Sequence, residues 1–299
     1  MTASPYKKFA DRHAGIFLAL PACLFLIVFV LAPFLSAVWD SFTNQSLKTI
    51  LAAEPRRWVG LENYANLWRD PDFLRALRNT LQFVAMVVPL QCLLALGMAL
   101  LVNGAAFWQR FLRVSFFAPV IMSMAVLSVL WGLLYNPEFG LFNRLLALLG
   151  LPAQPFLTSP GQALWSIALM SIWQGAGYQM MLLLAGLQNI PAEFYECARV
   201  EGAGRWQQFW YVTLPQLRAS LALVVTITLI LAFKLFVQPH LLTNGGPEGA
   251  TTTLILQFYH EAFTHHDFGR ASALVVIFFI LVLLAALVQR KFLPESSAA

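Results

Sequence analysis

Six long apolar stretches constrain this chain more than any other feature, because each is long enough to cross a lipid bilayer. A transmembrane helix needs about 20 consecutive, mostly apolar residues. The stretches run approximately from Gly15 to Val38, Thr80 to Val102, Val114 to Leu134, Ala163 to Gln188, Leu217 to Val237 and Ala271 to Gln289. The sequence therefore predicts an all-α membrane protein, with six transmembrane helices in one domain over residues 15–290.

Composition agrees with a surface that largely faces lipid. Only 11% of the 299 residues are charged, whereas a soluble domain has about 25% charged residues. The net charge of +5 is spread along the chain and forms no basic patch, so we expect no nucleic-acid partner. The three cysteines are scattered without metal-ligand spacing, which argues against a disulfide framework or a zinc site.

The distribution of Lys and Arg predicts which side of the membrane the chain ends occupy. Six spans place both ends on one side, and positive charge is densest in the short connections of that side. Cytoplasmic loops carry such an excess, so residues 1–14 and 291–299 are predicted to be cytoplasmic tails. The first stretch is too long for a secretory signal and no clear cleavage site follows it, so we interpret it as a retained span.

The outer connections are predicted to contain short structured segments. Between the first two spans, apolar residues fit a helix on the outer membrane interface: Leu67, Trp68, Phe73, Leu74 and Leu77. A short amphipathic helix is predicted from Phe142 to Leu149. The segment from Leu242 to Pro247 is a turn by composition.

Residues 189–216, between the fourth and fifth stretches, are polar and helix-forming although they connect two apolar segments. Glu193 lies in a first helical turn, where the helix dipole favours a negative charge. Gly202 permits a sharp reversal. A second short helix is predicted from about Arg205 to Val212, with Pro215 starting the next span. The pattern predicts a helix–turn–helix on the cytoplasmic face.

This helix–turn–helix leaves several charged side chains available to a partner: Glu193, Glu196, Arg199 and Glu201. A polar segment kept between two spans is most simply explained by something that binds it. An interfacial helix pair that merely connects the spans fits the spacing equally well, so both alternatives stay open.

The connection also resembles a known motif. Glu196-Cys197-Ala198, Glu201-Gly202-Ala203 and Leu214-Pro215 are similar to the EAA loop of the inner-membrane permeases of bacterial ABC importers, with Cys in place of one Ala and Glu in place of Asp. Further segments resemble the carbohydrate branch of that family: Arg78 to Thr80, Phe116 to Pro119, Trp131 to Asn136, Gly140 to Asn143, Ile172 to Gly175, Leu242 to Pro247 and Phe268 to Ala273.

The resemblance implies a type I importer permease in a bacterial inner membrane. It implies pairing with a second, similar permease subunit, two ATP-binding subunits and an extracytoplasmic solute-binding protein. The loop would be the helix-turn-helix that couples this chain to the ATPase. The residues expected to take part in coupling are Glu193, Glu196, Ala198, Glu201, Gly202, Ala203, Leu214 and Pro215.

The resemblance also gives these positions separate roles and suggests a solute. Glu196 would offer a charge-assisted hydrogen bond to a basic group, and the small Ala198 and Ala203 would allow close approach of the partner. The implied solute is of carbohydrate type. An importer for another solute class, such as polyamines, that shares the same loop is the alternative.

The chain lacks the motifs of an ATPase or a metalloprotease. No G-x-x-x-x-G-K-[ST] segment occurs, so we expect no cofactor on this chain and ATP with Mg²⁺ on partner subunits. The segment from His260 to His266 differs from H-E-x-x-H because Thr264 stands where the second His is required. An intramembrane enzyme would need a paired catalytic set within the spans, and none is visible. We therefore predict a transport subunit.

Lys234 is a candidate for the solute path. Apart from Arg218, which belongs with the inner connection, it is the only Asp, Glu, Lys or Arg within the six stretches. An ionisable residue within a span is functional by default. Lys234 lies near the outer end of the fifth span, so snorkelling of its ammonium group to the interface is the alternative.

Amide and aromatic side chains within the spans are further candidates. Gln174 and Tyr178 share one face of the fourth span, and a sugar needs amide hydrogen bonds and a flat aromatic surface. Hydrogen bonding between helices explains such amides equally well. The candidates for the solute path, besides Lys234, are Asn79, Gln82, Trp173, Gln174, Tyr178 and Gln179.

Overall fold

The computed structural model describes residues 18–292, and this part of the chain is built from helices. In chain order they are α1 Leu18–Asp40, α2 Leu47–Leu51, α3 Glu62–Arg69, α4 Pro71–Leu101, α5 Phe107–Ile121, α6 Met124–Leu134, α7 Leu141–Leu148, α8 Pro160–Gln188, α9 Ala192–Val200, α10 Arg205–Gln208, α11 Arg218–Phe233, α12 Val237–Leu242, α13 Leu254–Tyr259 and α14 Phe268–Phe292. Within these residues, five helical segments are long and apolar enough to cross a membrane, and the pair α5–α6 would make a sixth. The predicted all-α membrane fold is confirmed.

The described residues form two compact units. One contains residues 18–69 and 258–277, and the other contains residues 70–257 and 278–292. In the first unit, the side chain of Asn63 donates hydrogen bonds to the carbonyl oxygens of Ser41 (2.8 Å) and Thr43 (2.9 Å). These bonds order the segment that follows α1, where backbone carbonyls would otherwise lack partners.

The second unit is a bundle in which α4, α8 and α11 share one apolar core. At one level the core contains Phe83, Ile167 and Phe233. At the next level it contains small residues such as Ala95 and Ala99 of α4 beside Met180 of α8 and Val224 of α11. Small side chains let helix backbones approach closely, which is the common packing mode of membrane helices.

The third apolar stretch is bent rather than continuous. The axis of α6 turns by 99° from that of α5, so the prediction of one span from Val114 to Leu134 misses a break in its middle. Pro119 lies inside the last turn of α5, where it removes a backbone donor and disfavours helix continuation. Met122 and Ser123 then adopt extended backbone angles. Hydropathy does not report backbone direction, and the break is equally apolar.

The outer-interface helix predicted from Leu67 to Leu77 is wrong in two respects. The segment is divided, because α3 ends at Arg69 and Pro71 begins α4. Leu67 and Phe73 are fully buried, so they belong to the protein interior rather than to the interface. The α7 helix confirms the amphipathic segment predicted from Phe142, with bounds shifted by one residue.

The fifth apolar stretch is also interrupted. It begins as α11 at Arg218, ends at Phe233 and resumes as α12 after a break over residues 234–236. Lys234 therefore lies in the break and not on a continuous helix. The predicted turn that follows α12 is confirmed, because Asn244 and Gly245 have positive φ angles of 46° and 87°.

Candidate functional site

The connection over residues 189–216, here called the hairpin, reverses direction at Gly202. The amide of Ala203 donates to the carbonyl of Ala198 (2.9 Å), and the amide of Gly202 donates to the carbonyl of Arg199 (3.0 Å). This bond pair is the Schellman motif that ends α9. Gly202 has φ +80°, a conformation that costs a residue with a side chain about 1–2 kcal/mol.

The second part of the hairpin is longer than predicted. From Arg205 the chain stays helical through a wider turn at Phe209–Thr213 and on to Leu214–Gln216. Pro215 therefore lies inside this helical run, and the next span begins after it at Arg218. The prediction that Pro215 starts the span is corrected. Pro215 directly follows the wider turn and has no backbone N–H to place in a regular helical bond.

One side-chain bond joins the two arms of the hairpin. The Tyr195 hydroxyl lies 3.0 Å from the Thr213 hydroxyl, and Thr213 is buried. Near the turn, the Gln208 side-chain amide donates to the carbonyl of Ala203 (2.8 Å). The Tyr195–Thr213 bond thus fixes the arms relative to each other, and the Gln208 bond orders the chain just after the turn.

A groove of about 480 Å³ lies between the arms. Four predicted coupling residues line it: Ala198, Glu201, Gly202 and Ala203. Sequence reasoning missed Phe194, Gln207 and Tyr211 in its lining. Phe194 lies four residues before Ala198, so helical spacing was the signal that could have found it.

The other four predicted coupling residues lie outside the groove. Glu193 and Glu196 are exposed on α9, Leu214 is half-buried and Pro215 is exposed. Within residues 18–292, neither of these two glutamates nor Glu201 forms an ion pair. Within residues 18–292, the exposed Arg199 and Arg205 also form no ion pair. The hairpin therefore presents carboxylates without partners beside a groove of mixed polar and apolar lining.

A second site is a cavity of about 370 Å³, here called the interhelical cavity. Its walls come from α4, α8, α11, the α5–α6 bend and the break that precedes α12. The lining residues are Phe83, Val87, Gln91, Val120, Met124, Ser171, Gln174, Gly175, Tyr178, Gln179, Thr228, Leu231, Ala232, Lys234, Leu235 and Gln238. Four of the predicted solute-path residues therefore meet here: Gln174, Tyr178, Gln179 and Lys234.

Hydrogen bonds hold part of this polar lining in place. Gln179 donates to the Thr228 hydroxyl (3.2 Å), and Gln238 donates to the Ser171 hydroxyl (3.3 Å). Gln179 is 1% exposed, yet its Oε1 has no hydrogen-bond partner among residues 18–292. A buried acceptor without a donor costs about 1–3 kcal/mol, so this oxygen is ready to accept a bond from a ligand.

The other three solute-path candidates do not line the cavity. Asn79 is buried and donates to the carbonyls of Gly249 (2.8 Å) and Thr252 (2.9 Å), which orders the loop after α12. Gln82 is exposed on α4. Trp173 packs on Trp131, with ring centroids 5.3 Å apart.

The spacing along α8 contained more information than the prediction used. Ser171, Gln174, Gly175, Tyr178 and Gln179 follow the intervals i, i+3, i+4, i+7 and i+8, which place all five on one helix face. Ser171 and Gly175 could have been found this way. A Cβ added to Gly175 would lie 2.3 Å from the Gln91 amide nitrogen, so this glycine makes room for the Gln91 side chain.

Comparison with known proteins decides the family. Residues 91–296 match the family described as the binding-protein-dependent transport system inner membrane component. The chain belongs to this family. It is accordingly a transport subunit and not an enzyme. Among residues 18–292, no group of three or more His, Cys, Asp or Glu side chains is placed to hold a metal ion.

Curated relatives match over nearly the full length. The chain is 36% identical to the probable ABC transporter permease protein YurN of Bacillus subtilis, covering 91% of this chain and 93% of that protein. It is 33% identical to the sulfoquinovosyl glycerol permease SmoG of Agrobacterium fabrum, covering 89% and 85%. It is 31% identical to the trehalose/maltose permease MalF of Thermococcus litoralis, covering 95% of each.

A solved structure shows the same fold. A chain of the bacterial alginate ABC transporter, crystallised with an alginate pentasaccharide-bound periplasmic protein, superposes with a TM-score of 0.83 over 98% of both chains. Its sequence identity is 21%, so this likeness concerns the fold. The multi-pass membrane architecture of the chain thus agrees with its family.

Proposed function

We propose that this chain is one of two permease subunits of an importer for a sugar or sugar-like solute, powered by two ATP-hydrolysing partner subunits that bind ATP and Mg²⁺. Its relatives include permeases named for sulfoquinovosyl glycerol, trehalose and maltose, and sn-glycerol-3-phosphate. An extracytoplasmic binding protein would deliver the solute. The chain ends and the hairpin would lie on the cytoplasmic side of a bacterial inner membrane.

The observation that supports coupling best is the hairpin itself. Its turn is closed by a Schellman motif at Gly202, and the three glutamates beside its groove have no ion pair within residues 18–292. A basic partner surface would neutralise this charge, and each charge-assisted hydrogen bond shielded from water contributes about 1.5–3 kcal/mol. We assign this groove to the ATP-hydrolysing partner.

The hairpin also connects directly to walls of the interhelical cavity. Only residues 189–191 separate α8 from α9, and only Leu217 separates the hairpin from α11. Leu217 is fully buried against the α4–α8–α11 core. Movement of the docked hairpin would therefore be transmitted to Gln179 on α8 and Thr228 on α11, and this would open the cavity to one side at a time.

Two glycines of the hairpin provide a matched test of coupling. Gly202→Val forces a β-branched residue into φ +80°, whereas Gly204 has φ −68° and accepts a side chain. In the assembled importer, Gly202→Val should reduce co-purification of the ATPase and solute uptake by at least about tenfold, which corresponds to about 1.4 kcal/mol. Gly204→Val should leave both near the original level.

Glu196→Lys tests the charge of the same surface. Reversal of an exposed carboxylate on α9 should weaken ATPase binding while the chain still inserts into the membrane. Undiminished ATPase binding and uptake in both Gly202→Val and Glu196→Lys would contradict the assignment of the hairpin to coupling.

A further inference from the structure

We infer that the interhelical cavity takes an anionic solute, a sugar or polyol that carries one carboxylate, phosphate or similar group, and that Lys234 binds this charge. The inference rests on the proposed function, because it names the solute class for the same cavity. It assigns Lys234 a role in specificity that the transport of neutral sugars does not require.

The charge of the cavity lining is one-sided. Lys234 is the only ionisable Lys, Arg, His, Asp or Glu side chain among its sixteen lining residues. Within residues 18–292, Lys234 forms no ion pair and no side-chain hydrogen bond. A charged group within a membrane protein is normally paired or lines a pathway. Here the counter-charge is missing from the described residues, so the ligand would supply it.

The position of Lys234 favours this role over snorkelling. It lies in the break between α11 and α12, and its neighbours Leu235 and Gln238 are buried cavity residues. A snorkelling lysine would direct its ammonium group along the helix to the lipid interface. Lys234 is exposed, and it also lines the cavity beside Gln238, whose amide donates to Ser171.

A second observation points to a ligand in the same cavity. The Oε1 atom of Gln179 is buried and accepts no hydrogen bond from the part of the chain that the structure describes, although the Nε2 atom of the same side chain donates to Thr228. A hydroxyl group donates to such an acceptor, whereas a carboxylate does not. The Lys234 ammonium group and the Oε1 atom of Gln179 therefore favour a ligand with an anionic group near Lys234 and a hydroxyl group near Gln179.

The size of the cavity limits the ligand to a small solute. Its volume of about 370 Å³ lies at the lower end of ligand pockets, which span about 300–1,000 Å³. Tyr178 on the same wall offers an aromatic face for the apolar side of a sugar ring. A hydroxylated ring with one anionic substituent meets all three features, whereas a neutral ring leaves the ammonium group without a counter-charge.

Binding of matched probes to the full-length chain in lipid nanodiscs tests the inference. Saturation-transfer NMR would compare glucose, glucuronate and glucose 6-phosphate at concentrations up to tens of millimolar. At least one anionic probe should bind more tightly than glucose by about tenfold to a hundredfold, as expected for one charge-assisted hydrogen bond. The carboxylate and phosphate probes show which anion the cavity prefers.

Lysine variants assign the preference to one side chain. Lys234→Met should abolish the difference between anionic and neutral probes, and Lys234→Arg should retain it. Lys48→Met is the matched control, because Lys48 is exposed on α2, outside the cavity, and its loss changes the net charge equally. This control should bind all three probes as the original chain does.

Three results would overturn the inference: equal binding of glucose and both anions, an anion preference that persists in Lys234→Met, or no saturation by either anionic probe. None of them affects the hairpin experiment, which measures ATPase binding and uptake. If the cavity binds neutral and anionic probes equally while Gly202→Val loses ATPase binding and uptake, only this inference fails. Undiminished ATPase binding and uptake in both Gly202→Val and Glu196→Lys would count against the proposed function instead.

Discussion

Individual side chains hold the two arms of the hairpin together. Tyr195 on α9 and Thr213 on the second arm are bonded at 3.0 Å, and this is a partly buried contact between residues 18 positions apart. A hydrogen bond of this kind contributes about 0.5–1.5 kcal/mol. The energy is small for a whole domain but large for a short two-armed segment, because few other contacts join the arms.

Removal of this bond should loosen the hairpin locally. Tyr195→Phe deletes one hydroxyl and leaves the Thr213 hydroxyl with only its long bond to the Gln208 carbonyl (3.4 Å). We expect faster amide hydrogen exchange in α9, with a loss of about 0.5–1.5 kcal/mol of local opening free energy. Tyr211→Phe is the control, since Tyr211 is 81% exposed and has no hydrogen bond within residues 18–292. Equal exchange rates in the two variants would show that the bond does not fix the arms.

Helices approach each other most closely where a glycine removes the side chain. A Cβ added to Gly177 on α8 would lie 2.1 Å from the carbonyl oxygen of Phe116 on α5. That oxygen belongs to the backbone and cannot rotate away. Gly97 on α4 has nothing within 4 Å of the corresponding position, so the two glycines have opposite environments within the same bundle.

Alanine at these two positions should change stability in opposite directions. Gly177→Ala should force α5 and α8 apart and destabilise the chain by about 1–3 kcal/mol. Gly97→Ala should leave stability unchanged or raise it by up to about 1 kcal/mol, because alanine favours an exposed helix interior. Thermal unfolding in detergent micelles measures both. A parallel shift of the two midpoints would contradict the close α5–α8 contact.

Helix positions were easier to predict than helix directions. Apolar runs place both ends of α8 and α14 to within three residues, because a span must satisfy its backbone internally over about 20 residues. The end of α4 is placed equally well, but α4 begins at Pro71 and not at Thr80, since its first turns lie in the polar segment before the apolar run. The bend after Pro119 and the break at Lys234 were missed, since both lie within runs that hydropathy scores as continuous. A proline marks each interruption: Pro119 lies in the last turn before the first, and Pro239, four residues after Leu235, follows the second.

The candidate site residues show a similar contrast, between those placed by spacing along one helix and those placed by tertiary contacts. Local spacing along one helix brings Gln174, Tyr178 and Gln179 to one wall, and a single-helix pattern can predict that. Asn79 serves a loop 170 residues away, and Lys234 reaches the cavity only because the fifth stretch breaks beside it. These are consequences of tertiary contacts between distant segments, which the spacing of residues along the chain does not contain.

At the scale of the whole molecule, the proposed function depends on the orientation of the chain in the membrane. Under the proposed function, solute delivery and ATP hydrolysis are on opposite sides of the membrane, so we expect the hairpin and the connection between α1 and α4 to be accessible from different compartments. Both contain an exposed position for thiol labelling. Cys197 on α9 is an exposed free thiol, and Glu54 in the α1–α4 connection is an exposed residue that can be replaced by cysteine.

A membrane-impermeant charged maleimide should therefore label Cys197 only in inside-out vesicles and not in intact spheroplasts. Cys197→Ser should remove the signal, because Cys92 is buried and Cys23 lies in the apolar α1, where a charged reagent does not enter. Glu54→Cys in the Cys197→Ser background should restore labelling from the opposite side. Reaction of Cys197 in intact spheroplasts would place the hairpin in the compartment of the binding protein. Coupling of this chain to a cytoplasmic ATPase through the groove at Gly202 would then be excluded.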